Sequence, residues 1–161
     1  MTRRKFVLFI GLALTTALIC SDYSSLSGEK SNFNTNKYVD AWIKMWNTYD
    51  LDQVDELFLL DNRLTYFSSE KEGIIIGINA VRDHHIGFGF VKRGKKQPNK
   101  LWLEDINSTE FNSSAVVTGI WYFQRQDGSI QRGPVTIVYV QQGDSYRIAH
   151  MNFSNYQEPE E

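Results

Sequence analysis

Histidines and one strand tyrosine are the side chains of this sequence best suited to moving protons. His84 and His85 are adjacent, and Tyr66 lies about twenty residues upstream. Neighbouring side chains on a helix point about 100° apart, so only one of the two histidines can face a cavity. One candidate acid–base pair is therefore His85 with Tyr66. The alternative interpretation is that the two histidines belong to a polar helix face.

The third histidine lies in a predicted strand near the C-terminus. His150 alternates with the residues of a more apolar face, which are Ala149, Met151 and Phe153. Because the more apolar face of a strand turns towards the core, we predict that His150 lies outside the cavity, at an interface or on the outer sheet surface.

Motifs for other chemistries are not found in the sequence. Adjacent histidines lack the spacing of about three or four residues that a helical pair of metal ligands needs, so we predict no metal site. The sequence has no Gly-rich phosphate loop and no nucleophile-elbow serine, and its single cysteine, Cys20, lies at the end of an export signal. We expect no cofactor.

Aromatic rings are the second chemical feature, at 14% of all residues. Ring faces bind flat apolar ligands at a low entropic cost, although for any single ring core packing is the alternative interpretation. Tyr66 also has a hydroxyl that can hydrogen-bond a ligand carbonyl. The candidate ligand-binding residues are Trp42, Trp46, Tyr66, His85, Trp121, Phe123 and Met151.

The N-terminus predicts export, either to the periplasm, to a membrane-tethered state or to the outside of the cell. Basic residues 3–5 precede an apolar run of about fourteen residues, which is too short for a comfortable membrane span. Three alternatives remain open: a lipoprotein signal with Cys20 acylated, an ordinary signal cleaved at or just past Ser21, and an uncleaved anchor. Apart from such a lipid anchor, we expect no contact with a membrane.

Composition and charge predict one globular domain over residues 37–156. Residues 1–20 form the export signal, residues 21–36 a polar linker and residues 157–161 an acidic tail. The formal net charge is -2, and the short basic cluster at 92–96 is typical of a solvated loop. We therefore expect no nucleic-acid partner.

Hydrophobic periodicity predicts three helices before residue 91. They cover residues 36–49, 50–60 and 80–90, and the first two form a hairpin. Gln53 completes a capping-box pattern in the second helix. The predicted N-caps are Asn36, Asp50 and Asn79.

β-rich runs predict two short strands, 63–69 and 73–78, and four longer strands within residues 101–153. Only two-residue breaks, at 112–113, 127–128 and 143–144, separate the four longer runs, whereas a parallel pair needs a crossover of about a dozen residues. They must therefore form an antiparallel meander, and the helices must cover one of its faces.

This order of elements resembles the NTF2-like superfamily, especially its SnoaL-like and DUF4440-type members. The matching stretches are WIKMWNTYDLDQVDELFLLDNRLTYFSS, GINAV and YRIAHMNFS. The resemblance implies an α+β fold in which a curved antiparallel sheet forms a cone around three N-terminal helices, with a pocket at the open end. It also implies a homodimer formed through the sheet.

Catalytic residues of the family's enzymes transfer poorly to this sequence. Ketosteroid isomerase-like members need a carboxylate base, but the matching positions are Tyr66, Trp42 and Val138. The resemblance therefore implies a cavity without a carboxylate base. Scytalone dehydratase-like members use histidines with tyrosines, which His84, His85 and His150 can supply.

Three hypotheses follow. The first is an exported domain that binds a small, mostly apolar molecule in its cone and has no strong enzymatic activity. The second is a lyase or isomerase that uses His85 with Tyr66. The third is a dimerising interaction module whose cone is filled by side chains.

Overall fold

The computed structural model describes residues 33–156. The predicted export signal with Cys20, most of the predicted linker and the acidic tail at 157–161 lie outside the described residues. Within the described part of the chain, no helix is long and apolar enough to cross a membrane.

Three helices and six strands make up the domain. The helices are α1 (Thr35–Thr48), α2 (Asp52–Leu57) and α3 (Ile78–Gly87). The strands are β1 (Thr65–Ser68), β2 (Lys71–Ile76), β3 (Lys100–Glu110), β4 (Ser114–Gln124), β5 (Ile130–Gln142) and β6 (Ser145–Phe153).

The strands form one curved sheet in the order β2-β1-β6-β5-β4-β3. The predicted meander from β3 to β6 is confirmed, and so is the α+β fold class. One part of the prediction is wrong, because β1 pairs with β6 in parallel. That pairing joins strands about eighty residues apart in the chain, so no local turn signal could reveal it.

Two of the three predicted helix caps are wrong, and the other is displaced. Asn34, not Asn36, caps α1, because its Oδ1 accepts a hydrogen bond from the Lys37 backbone N–H at 3.0 Å. Gly77, not Asn79, precedes α3. Asp50 does bind the start of α2, since its Oδ1 accepts from the Asp52 N–H at 3.1 Å, although the cap residue itself is Leu51.

The helix α2 ends at residue 57, three residues before its predicted end, because Phe58 is already extended and bridges to Ile148 of β6. Arg147 stabilises this end. Its Nη1 donates to the carbonyl oxygens of Asp55, Glu56 and Phe58 at 2.6, 3.0 and 3.1 Å. A guanidinium at a helix C-terminus satisfies carbonyls that have no partner within the helix.

The core lies between the helices and the inner face of the sheet. Trp42, Met45 and Val54 from the helical hairpin are fully buried. Asn47 of α1 joins the helix to β3, since its side chain donates to the Leu101 carbonyl at 2.9 Å and accepts from the Leu101 N–H at 2.7 Å. This side chain holds the first helix against the sheet near the open end of the cone.

The packed domain begins before its predicted boundary at residue 37. Phe33 is buried, and its ring stacks on Tyr38 with a centroid separation of 5.1 Å. A residue of the predicted linker is therefore part of the core. A single aromatic residue within a polar stretch gives no periodic signal, so the boundary could not be placed from the sequence.

Candidate functional site

A cavity opens between the helices and the strands β1, β4 and β5. Its volume is about 50 Å³, and about 430 Å³ of space lies between its walls when the open mouth is included. The lining residues are Trp46, Tyr66, Ser68, Ser69, Glu70, Phe88, Leu101, Trp121, Phe123, Arg125, Gln131 and Phe153. The inner part is aromatic and the mouth is polar.

Strand alternation explains one wall of this cavity. Trp121, Phe123 and Arg125 follow one another at every second position, so they share the inner face of β4 and its continuation. On β5, Gln131 pairs with Phe123 and Gly133 pairs with Trp121. The same face therefore changes from apolar to cationic as the chain approaches the hairpin turn.

Phe153 forms the floor of the cavity and connects its rings. Its centroid lies 5.4 Å from that of Trp121, 6.0 Å from that of Tyr66 and 6.4 Å from that of Trp46. Trp42 lies on the far side of this ring, with a centroid separation of 5.4 Å. The cone interior is thus filled behind Phe153, so the predicted ligand-binding residue Trp42 does not line the cavity.

The structure divides the seven predicted ligand-binding residues into two groups. Trp46, Tyr66, Trp121 and Phe123 lie on the cavity wall. Trp42, His85 and Met151 are fully buried and do not line it. These three side chains pack in the core, which was the alternative to ligand binding for each of them.

His85 is buried inside the core, so its assignment to a polar helix face is wrong. Its Nδ1–H donates to the Val81 carbonyl at 2.7 Å, while its Nε2 is buried with no partner among the described residues. Burial lowers the pKa of His85 to about 4, which the hydrogen bond to Val81 only partly offsets. The imidazole is therefore neutral at pH 7.

Tyr66 and His85 approach each other without a hydrogen bond between them. Their ring centroids are 5.8 Å apart in an edge-to-face arrangement. Burial raises the pKa of the Tyr66 hydroxyl far above its ordinary value. Only Tyr66 of the two lines the cavity, so a ligand in the cavity would meet the tyrosine and not the histidine.

The other two histidines lie away from the cavity wall. His84 is half-buried beside Tyr66, and burial, with the charge of Lys71, lowers its pKa. His150 forms a hydrogen bond of 2.8 Å between its Nδ1 and the Thr65 hydroxyl, and it packs beside Phe67 on the outer side of the sheet. Burial lowers the pKa of His150 as well.

A β-bulge changes the alternation that was predicted for β6. Tyr139 pairs with Ile148 and Val138 pairs with His150, which leaves Ala149 without an opposite residue. Ile148 therefore points inward together with Met151, whereas the sequence pattern placed Ala149 on that face. The inward set is more apolar than strict alternation predicts.

The mouth carries a hydrogen-bonded network that the sequence did not reveal. The Gln131 Nε2 donates to Glu70 Oε1 at 2.6 Å and to Asn155 Oδ1 at 2.9 Å. Arg125 Nη2 donates to Gln131 Oε1 at 2.8 Å. Gln131 thus joins the β1–β2 turn, the β4–β5 hairpin and the C-terminal segment around one opening.

Glu70 is a carboxylate at the cavity mouth that the sequence did not predict. Its side chain lines the mouth, is exposed to solvent and accepts its hydrogen bond from Gln131. No group of three or more metal-ligating side chains occurs within residues 33–156.

No protein-family model matches this chain, and a comparison with curated protein sequences finds no match. Solved structures do match. An NTF2-like superfamily protein from Salmonella enterica serovar Typhimurium is 15% identical with a TM-score of 0.63, over 78% of this chain and 91% of that chain. An NTF2-like protein of unknown function from Pseudomonas putida KT2440 is 15% identical with a TM-score of 0.67, over 78% and 87%.

A protein from Novosphingobium aromaticivorans DSM 12444 that is provisionally named a scytalone dehydratase is also similar. It is 12% identical with a TM-score of 0.62, over 76% of this chain and 82% of that chain. At such identities the likeness concerns the fold, and no function is carried over by it.

Proposed function

We propose that this chain, which has the NTF2-like fold, binds a small and mostly apolar molecule in its cavity and has no strong catalytic activity. The observation that carries the proposal is the aromatic wall of an open cavity, formed by Trp46, Trp121 and Phe123. Such a concave, mostly apolar site with a few polar groups at one end is typical of ligand pockets.

The dimensions of the cavity limit the ligand. The cavity volume is only about 50 Å³, and the wider space of about 430 Å³ includes the open mouth, so the cavity can take at most one small ring. A fused polycyclic molecule would have to displace Phe153, which touches four other aromatic rings. We therefore favour a ligand with one ring inside and a polar end at the mouth.

Three features support binding over catalysis. His85 does not line the cavity, and its low pKa makes it a weak base at neutral pH. Tyr66 has a pKa too high to act readily as an acid. Glu70 lies at the solvent-exposed mouth, where its carboxylate already accepts a hydrogen bond. The lyase or isomerase hypothesis therefore lacks a base positioned over the cavity.

Binding can be measured through tryptophan fluorescence, because Trp46 and Trp121 border the cavity. We expect a saturable change on addition of benzamide or benzoate, each of which has a single ring. Phe123→Ala should weaken binding about fivefold, since a ring contact is worth roughly 1 kcal/mol. Phe111→Ala, which removes an exposed ring outside the cavity, is the matched control and should change nothing. A flat titration with both compounds would refute binding.

A second candidate function, dimerisation through the outer face of the sheet, is favoured by exposed apolar side chains there. Phe67 and Ile74 pair across β1 and β2 and are 38% and 48% exposed, and Ile76 is 54% exposed. Exposed apolar patches of this kind mark protein interfaces. A symmetric contact would bury them against the same residues of a second copy.

Sedimentation equilibrium tests this second proposal. We expect the wild type to have the mass of two chains and Phe67→Lys to have the mass of one, because the substitution places like charges opposite each other in a symmetric contact. Ile86→Lys is the control, since Ile86 is equally exposed but lies on α3. A monomeric wild type would remove the proposal.

A further inference from the structure

Among the residues that line the cavity, Arg125 is the one cation. It follows Trp121 and Phe123 on the same face, one residue past the end of β4. Its guanidinium carbon lies 5.9 Å from the centroid of the Phe123 ring. A planar guanidinium stacks on an aromatic face, and this contact with Phe123 holds Arg125 where the apolar wall ends.

Most of the hydrogen-bonding capacity of Arg125 is unused. A guanidinium has about five N–H donors, and only Nη2 donates, to Gln131 Oε1 at 2.8 Å. The ion pairs formed within residues 33–156 are Arg63 with Asp61 and Arg82 with Asp55, so Arg125 is not in an ion pair there. The remaining donors can therefore receive an acceptor that arrives from solvent.

The acidic groups near Arg125 are already engaged. Glu70 accepts from Gln131 Nε2 at 2.6 Å, and the Ser69 hydroxyl lies 3.5 Å from the same carboxylate oxygen. Asp127, on the same hairpin, accepts from the Ser129 N–H at 2.9 Å and from the Ser129 hydroxyl at 2.6 Å, and these bonds lower its pKa more than the charge of Arg125 does. Gln131 stands between Arg125 and Glu70, with its oxygen towards the cation and its nitrogen towards the anion.

The mouth therefore has a surplus of donors beside the aromatic wall. We infer that the ligand is a small aromatic carboxylate, with its ring beside Trp121 and Phe123 and its carboxylate on Arg125. A planar carboxylate matches the fork of a guanidinium in a bidentate arrangement. This inference rests on the proposed binding function and names the ligand class for that same cavity.

Benzoate and benzamide test the inference, because they share one ring and differ in charge. We expect wild type to bind benzoate about tenfold more tightly than benzamide, as a charge-assisted pair at a partly exposed site provides. Arg125→Gln should weaken benzoate binding about tenfold and so remove this preference, because neutral benzamide has no charge for the guanidinium to pair with. Raising the salt concentration should weaken the binding of benzoate and not that of benzamide, because mobile ions screen the attraction between the carboxylate and Arg125.

Arg132→Gln is the matched control. Arg132 is an exposed arginine on the neighbouring strand that contacts Tyr156 and does not line the cavity, so its removal should leave both affinities unchanged. A thermal melt of Arg125→Gln should match that of wild type, since Arg125 is exposed, which shows that lost benzoate binding is not lost folding.

Several outcomes would overturn the inference. Equal affinity for benzoate and benzamide, unaffected by Arg125→Gln, would refute the anionic ligand and leave the proposed binding function standing. Tighter binding of phenyl phosphate than of benzoate would refute the carboxylate. If neither benzoate nor benzamide binds wild type, the proposed function fails and the inference fails with it.

Discussion

The wild type should lose about 3 kcal/mol of its free energy of unfolding as the pH falls from 6.5 to about 4, and His85→Phe should abolish this loss. Burial lowers the pKa of His85 from 6.5 to about 4 in the folded chain. Between these values the unfolded chain binds a proton that the folded chain does not bind. Stability contributed by the neutral imidazole is therefore complete above pH 6.5 and is lost as the pH falls towards 4.

Urea unfolding at a series of pH values between 4 and 7 measures this effect. The near-isosteric phenylalanine keeps the ring contacts with Phe90 and Trp46 and also removes the unpartnered Nε2. His84→Gln is the control and should keep most of the pH dependence, because His84 is only half-buried. Asp61 and Asp127 have lowered pKa values, so their contribution to stability is lost only below the ordinary aspartate pKa of 3.8. That loss lies outside the pH range of this experiment. A variant with the same pH profile as wild type would contradict a buried, neutral His85.

Gly133→Ala should destabilise the fold by about 3 kcal/mol, the upper range for overpacking. A Cβ at this position would lie 1.9 Å from the backbone oxygen of Ser154. Backbone cannot rotate away as a flexible side chain can, so the C-terminal segment must move. That shift would break the hydrogen bond of 3.0 Å from Trp121 Nε1 to the Ser154 carbonyl and loosen the cavity wall.

Chemical denaturation measures the free energy of unfolding of Gly133→Ala, and Gly87→Ala is the control. At Gly87, in the last turn of α3, a Cβ would meet no heavy atom within 4 Å, so alanine should be neutral or stabilising by up to about 1 kcal/mol. Benzoate binding should weaken in Gly133→Ala alone. Equal denaturation midpoints for Gly133→Ala and wild type would show that the C-terminal segment does not press on this glycine.

Much of the fold could be predicted because its signals are local. Short polar breaks between β-rich runs require antiparallel neighbours, and this alone predicted β3 to β6. The helical hairpin followed from apolar spacing. The parallel pairing of β1 with β6 and the bulge at Ala149 depend on contacts between distant parts of the chain, which spacing does not encode.

Within the candidate site, the aromatic wall could be predicted from the sequence and the polar mouth could not. Trp121 and Phe123 lie in one strand at alternate positions, so their common face could be predicted from the sequence. Extending that alternation by one step reaches Arg125, so the sequence also contains a signal for the cation at the end of this wall. Glu70 lies in the β1–β2 turn and Gln131 lies in β5, 61 residues apart in sequence, and only the folded sheet brings them together.

The burial of His85 was missed for a different reason. Polar residues next to each other on a short helix normally indicate a solvated face, and Asp83 and His84 fit that pattern. His85 instead turns inward among Phe58, Trp46 and Phe90, where its Nδ1–H is satisfied by its own helix. Because that hydrogen bond satisfies the Nδ1–H, the faces of the neutral imidazole can pack against aromatic rings in the core.

In a crystal structure of the protein with para-bromobenzoate, the anomalous signal of bromine locates the ring of the ligand. We expect a bromine peak within the cavity beside Trp46 and Trp121, with the carboxylate on Arg125. A cavity closed by its own side chains, with bromine only on the outer surface of the sheet, would contradict ligand binding in the cavity.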